Sequence, residues 1–372
     1  MRYADKLDNH EWTLPHGNEK NFRRSEEWAA CSVTGIQWEE NMLGKLMGAV
    51  AALALFVGSA SAADYPEQDI QGIIQWGAGG STDLVMRSVA PHAEKVLGRS
   101  IVMINKTGGV GAIATQFVAS QPSDGYTLLM SAENPQLYKV MGLSDLDYAD
   151  FYPVNVLARG VPVLVANNDA PFNTIKELVD YVQANPGKVK MGSTGPGGLP
   201  SVVGGMMSTQ LDFKVTAVPF DGDGPALTAM QGGAVDFMPA VLGAAAEHVK
   251  AGRIKILGIF DLEASPVLPD AKPIVADYPE FKKLLPWGPF FGVFVKRDTP
   301  DEIKAKLVEA FKTGAEAAEF QKLLDDRGYV SLNISGDEAD AFLKKWQSTT
   351  AWVVYDAGIA KKSPEEFGIA KP

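Results

Sequence analysis

Asp69-Ile-Gln-Gly-Ile-Ile-Gln-Trp76-Gly77-Ala-Gly-Gly-Ser-Thr-Asp83-Leu-Val-Met-Arg-Ser-Val89 carries the fold in miniature. Residues 69–76 have strand character and run at once into a glycine-dense turn. From Thr82 the apolar positions Leu84, Val85, Val89, Ala93 and Val96 recur at helical spacing. Strand, loop and helix in immediate succession open a parallel β-α-β unit, whose loop lies at the carboxyl edge of the sheet, where such sheets bind ligands.

The same order repeats along the chain. Strands are predicted at 101–105, 126–132, 162–166, 189–193, 215–218, 235–238 and 254–259, with helical stretches between them. One helix is predicted from Thr174, an N-cap residue with Glu177 three positions on, as in a capping box. This alternation predicts an α/β protein with mostly parallel sheet and helices on both faces. At 372 residues the chain has the length of about two domains, at roughly 100–200 residues each.

Its 34 Lys+Arg and 45 Asp+Glu leave a net charge of −11, which argues against a nucleic-acid surface. The apolar run from Met42 to Val57, with Lys45 ahead of it and Ala60-Ser61-Ala62 behind, has the order of a cleavable secretory signal at 42–62, cut near Ala62. Residues 1–41 hold His10, His16 and the sole cysteine, Cys31, and are expected to be a non-native or disordered extension. The first 62 residues carry six Lys+Arg and eight Asp+Glu. The remaining 310 therefore carry 28 and 37, a net of −9, with no cysteine and only His92 and His248. That excludes thiol catalysis and a multi-histidine metal site.

Four glycine-dense loops follow predicted strands: 77–83, 107–111, 192–200 and 220–225. Glycine lets backbone approach a ligand closely, and a loop opening into a helix turns free N–H groups and the positive dipole end outward. Together they describe an anion held by backbone amides. The run 109–114 also fits the G-x-G-x-x-A dinucleotide pattern, but it follows the second predicted strand instead of opening the domain, and the reading goes against a cofactor. Asp83 reads as a helix-start acceptor, and Asp221 and Asp223 as turn acceptors, since no glutamate follows at calcium-loop spacing. His92 and His248 read as solvated helix positions. No G-x-S-x-G elbow surrounds Ser81, Ser131, Ser193 or Ser201.

These loops also carry a family resemblance. Tyr65-Pro66, Gly77-Ala-Gly-Gly-Ser-Thr-Asp83, Asn105-Lys-Thr-Gly-Gly-Val-Gly111, Asp124-Gly-Tyr-Thr127, Asn134-Pro135, Gly192-Ser-Thr-Gly-Pro-Gly-Gly198, Val218-Pro-Phe-Asp-Gly222 and Trp287-Gly-Pro-Phe-Phe-Gly292 occur in order. The chain from 64 to 372 resembles the Bug-type periplasmic solute-binding proteins of tripartite tricarboxylate transporters. The resemblance implies a two-lobed Venus flytrap, with lobe 1 at 63–162 and 288–372 and lobe 2 at 163–287. It implies capture of a small carboxylate, largely by backbone amides and ordered waters, and delivery to the large and small subunits of a membrane permease. By the same resemblance the ligand would meet Gly79, Gly80, Ser81, Thr82 and Asn134 of one lobe, and Ser193, Thr194, Gly195, Pro196, Gly197, Asp221 and Ala240 of the other. The sequence departs from the family pattern at Trp76, at Glu133 and at Leu199 within Gly198-Leu-Pro200, which become specificity candidates. The expectation is a monomeric, periplasmic, non-enzymatic protein with no catalytic residue, metal, cofactor or nucleic-acid partner. Presentation of the ligand to a sensor kinase is the alternative, and a secreted enzyme on the same fold a lesser one.

Overall fold

The computed structural model describes residues 65–372. The readings made for 1–41 and for the signal at 42–62 lie outside the described residues.

Two sheets form the frame. β1 (Ile70–Ile74), β2 (Ile101–Asn105), β3 (Thr127–Ala132) and β4 (Phe151–Arg159) begin the first. β5 (Pro162–Ala166), β6 (Lys190–Ser193), β7 (Thr216–Pro219), β8 (Phe237–Val241) and β9 (Lys255–Ile259) make the second, and β10 (Phe290–Lys296) and β11 (Val330–Ile334) return to the first. The orders are β11-β4-β10-β3-β1-β2 and β7-β6-β8-β5-β9. Helices α1 (Ser81–Leu97), α2 (Ala112–Ala119), α3 (Tyr138–Met141), α4 (Ile175–Ala184), α5 (Leu199–Gln210), α6 (Asp223–Gln231) and α7 (Leu242–Lys250) connect the earlier strands. α8 (Asp301–Ala315), α9 (Ala318–Arg327) and α10 (Gly336–Asp356) close the chain. Among the described residues no helix is long and apolar enough to cross a membrane.

Both sheets are mixed, which corrects the expectation of mostly parallel ones. β1 is parallel to β2 and β3, and β6 to β7 and β8. β10 is antiparallel to β3 and β4, β11 to β4, and β5 to β8 and β9. For β5 and β10 the reason lies in the crossings. β5 and β10 are each the first strand laid down after the chain passes from the other lobe. A strand that enters from the cleft runs away from it, against neighbours whose carboxyl ends face the cleft. β4 passes into β5 through Gly160-Val161 alone. At this crossing the Gly160 N–H donates to the Pro289 carbonyl at 2.8 Å.

Burial explains the strand sequences. Val163 and Val165 of β5 face one apolar cluster with Met238, Ala240 and Ile259, while Leu164 and Ala166 face another with Phe172 and Phe281. A central strand covered on both faces reads as an unbroken apolar run. β10 is the counterpart in the first sheet, buried from Phe290 to Val295. At the start of α4, Thr174 Oγ1 accepts the Glu177 N–H at 3.1 Å as predicted, but the Glu177 carboxylate reaches back to the Asn173 N–H, at 2.7 Å. His248, read from sequence as solvated, is half-buried, with Nδ1 3.2 Å from Gln231 Nε2.

Candidate functional site

Between the lobes lies a cavity of about 40 Å³, above the roughly 10–15 Å³ needed to admit a water. Four helix starts from both lobes contribute to its wall. α1 gives Ser81 and Thr82, α5 gives Leu199 and Pro200, α6 gives Gly222 and Asp223, and α7 begins beside Val241. Each start presents N–H groups without intrahelical partners and the positive end of a dipole. Trp76, Ala132, Thr194, Pro239, Ala240, Pro289 and Phe291 complete the wall, and Glu133 enters it from the end of β3. Among the described residues no lysine, arginine or histidine lines it.

The α1 start is held by carboxylates. Asp83, third residue of the helix, turns back so that Oδ2 accepts the Gly79 N–H at 3.0 Å. Its Oδ1 accepts Arg87 Nε at 2.7 Å and Asn105 Nδ2 at 2.9 Å. Burial acts to raise the Asp83 carboxyl, but the hydrogen bonds from Asn105, Gly79 and Arg87 outweigh it and hold the group below the usual carboxylate range. Asp223 comes from the other lobe: Oδ1 accepts the Ser81 N–H at 3.0 Å and Oδ2 the Ser81 hydroxyl at 2.6 Å. The sequence reads Asp223 as a turn acceptor; the structure makes it an interlobe one. A carboxylate of the protein thus sits on the first amide of α1. A Cβ on Gly80 would lie 2.4 Å from Asp223 Oδ1, so only glycine admits this approach.

Glu133 is the second acid of the cavity, 4% exposed. Burial first, and the Asp223 charge after it, push its carboxyl up to about 8 against an ordinary 4.5. Its neighbour fixes the local polarity. Asn134 Oδ1 accepts from Gln75 Nε2 at 2.7 Å and from Trp76 Nε1 at 3.2 Å, so the amide NH2 must point the other way. There it faces Glu133 Oε1 at 3.4 Å and the Gly197 carbonyl at 3.5 Å.

The candidates named from sequence fall into three groups. Trp76, Ser81, Thr82, Glu133, Thr194, Leu199 and Ala240 line the cavity together. Gly79, Gly80, Asn134, Gly197 and Asp221 lie behind or beside the wall. Gly79 is tied to Asp83, and the Asp221 carbonyl takes the Gly77 N–H across the lobes at 2.9 Å. Ser193, Gly195 and Pro196 face a different groove, which they share with Met141, Gly205 and Ile359. Sequence reading does not place Asp223, Pro200, Pro239, Pro289 or Phe291 at the site. The dinucleotide-like turn is filled by protein, since Tyr138 donates its hydroxyl to the Val110 carbonyl at 2.9 Å. Among the described residues no group of three or more His, Cys, Asp or Glu could hold a metal ion.

Two lobes joined by crossing strands around a shared cavity of helix starts define a solute-binding protein of the periplasmic class, and solved structures agree. The chain superposes on the periplasmic binding protein BugD with a TM-score of 0.75 at 27% identity, covering 80% of this chain and all of that one. MatC from Rhodopseudomonas palustris with bound malate gives 0.70 at 26% identity, over 79% and 100%. Rpa4515 of R. palustris with adipate gives 0.72 at 25%, over 80% and 99%. The tripartite tricarboxylate transporter family receptor, TctC, matches residues 85–354, and the chain belongs to that family. Protein BugT of Bordetella pertussis is 28% identical over 84% of this chain and 98% of its own length. The resemblance carried by the loops is thereby borne out.

Proposed function

We propose that this chain is an extracytoplasmic receptor that captures a small organic carboxylate between its lobes and hands it to a tripartite-type membrane permease in the periplasm, after export on the signal at 42–62. The observation that carries the reading is the interlobe cavity, walled by the starts of four helices from both lobes. Unpaired amides of Thr82 and Leu199 and the Thr194 hydroxyl are donors suited to a carboxylate, preorganised by the helices they open. Ligand contacts made to both lobes at once stabilise the closed form over the open one, and closure is what a permease recognises. The related structures with malate and adipate support a carboxylate ligand. The two lobes move about the crossings at Gly160-Val161 and Gly288-Pro289, which put Pro162, the first residue of β5, in the second lobe.

The test is thermal scanning of the purified chain against hydroxy, aliphatic, aromatic and amino carboxylates at millimolar concentration. Binding at 100 times Kd raises stability by about 2.7 kcal/mol, enough to shift Tm by several degrees. A flat response across the whole panel would remove the reading.

A further inference from the structure

We propose, building on the receptor reading, that the ligand is an amino carboxylate whose protonated amine is held by Glu133. The described wall of the cavity holds two carboxyl groups, Glu133 and Asp223, and no basic side chain. A dicarboxylate would bring two negative charges and no positive one into this space, beside Asp223 and a carboxyl at Glu133. A purely cationic ligand fails for the converse reason, since four helix starts present positive dipole ends to the same space. A molecule with a carboxylate at one end and an ammonium a few bonds away matches both halves of the wall.

Asp223 is already committed, with both oxygens taken by Ser81. Glu133 is not. Beyond a bond to its own backbone N–H, the side-chain contact it makes is the long one from Asn134. Without a counter-charge the buried Glu133 keeps its proton up to about pH 8, and an arriving ammonium would displace that proton. Gln75 and Trp76 pin Asn134 so that it offers donors toward Glu133, the arrangement that suits an ionised acceptor. The titratable groups around Glu133 are Asp223 and the buried hydroxyls of Tyr138 and Tyr148, none of which supplies a positive charge.

Calorimetry of the full chain with matched pairs tests this: aspartate against succinate, glutamate against glutarate, β-alanine against propionate. At least one amino member is expected to bind ten times tighter than its desamino partner, with net proton release when titrated in buffers of different ionisation heat. Glu133→Gln should bring that ratio to about one by weakening the amino member alone. The wild-type ratio is decisive even if the variant fails to fold. Equal or tighter binding of the desamino members, or proton uptake on binding them, would mean Glu133 acts as a neutral acid and would overturn the inference while leaving the receptor reading intact. Silence from both members of every pair would remove the receptor reading and this inference with it.

Discussion

Glu133, just past the end of β3, and Asp83, in the first turn of α1, are buried carboxyl groups, and their surroundings pull them in opposite directions. Glu133 is raised to about 8, so between 4.5 and 8 the folded chain keeps a proton that the unfolded chain has lost. Stability is therefore full below 4.5 and falls as pH rises through 8, by a few kcal/mol at most, since a tenfold change in proton affinity is worth about 1.4 kcal/mol. Thermal scans of the ligand-free protein from pH 5 to 8.5 should show a steeper decline for wild type than for Glu133→Gln; parallel curves would contradict the assignment. Asp83 is lowered, so its contribution is present above the ordinary value near 3.8 and disappears as pH falls through its depressed folded value. Asp83→Ala strands the Gly79 N–H and unpairs Asn105 and Arg87. A loss of about 1–3 kcal/mol at pH 7 is expected, shrinking in acid, where the wild-type carboxyl is itself protonated. Urea midpoints at pH 7 and pH 3 check both parts.

At the scale of elements, the crossing is the least tolerant place in the chain. Gly288 lies against Gly160 so closely that a Cβ would sit 2.0 Å from the Gly160 carbonyl oxygen, a backbone atom held by its strand. Gly288→Ala must push β4 and β10 apart where Gly160 bonds Pro289, and a cost of about 3 kcal/mol or more is expected. Gly187, with nothing near its Cβ position but a φ of +74°, is the control: Gly187→Ala should cost only its backbone strain, about 1 kcal/mol. Urea midpoints of the two variants against wild type measure the difference. The same crossings mark how far the sequence could be read. Repeated strand-loop-helix units show in local periodicity, and the loops that open α1 and α5 are visible from their glycines. β4 is hidden by Pro153, β10 by Gly292 within an aromatic run, and β11 by its mixed, half-exposed sequence Val-Ser-Leu-Asn-Ile, so the antiparallel half of the first sheet escaped. Asp223 escaped as a site residue for a different reason. Its partner, Ser81, lies 142 positions away, and no local pattern encodes a contact of that span.

On the scale of the whole molecule, Asp223 acts as an internal counter-charge that draws the lobes together before any ligand arrives. Its two hydrogen bonds to Ser81 join α6 of one lobe to α1 of the other, and the Gly77 N–H to Asp221 carbonyl bond reinforces them. Charge-assisted bonds of this kind contribute about 1.5–3 kcal/mol each when well shielded. Asp223→Ala removes both, leaves the Glu133 side chain in place and takes away one of the charges that raise its carboxyl. The closed form then loses population, and apparent ligand affinity falls by the same factor as the competent fraction. Tenfold or more is the expected weakening in calorimetry, accompanied by a larger radius of gyration in small-angle scattering of the ligand-free protein and an unchanged one when ligand saturates. Were Asp223 instead a competitor that blocks the amides of α1 against the ligand, the substitution would tighten binding, and the sign of the change in Kd separates the two roles.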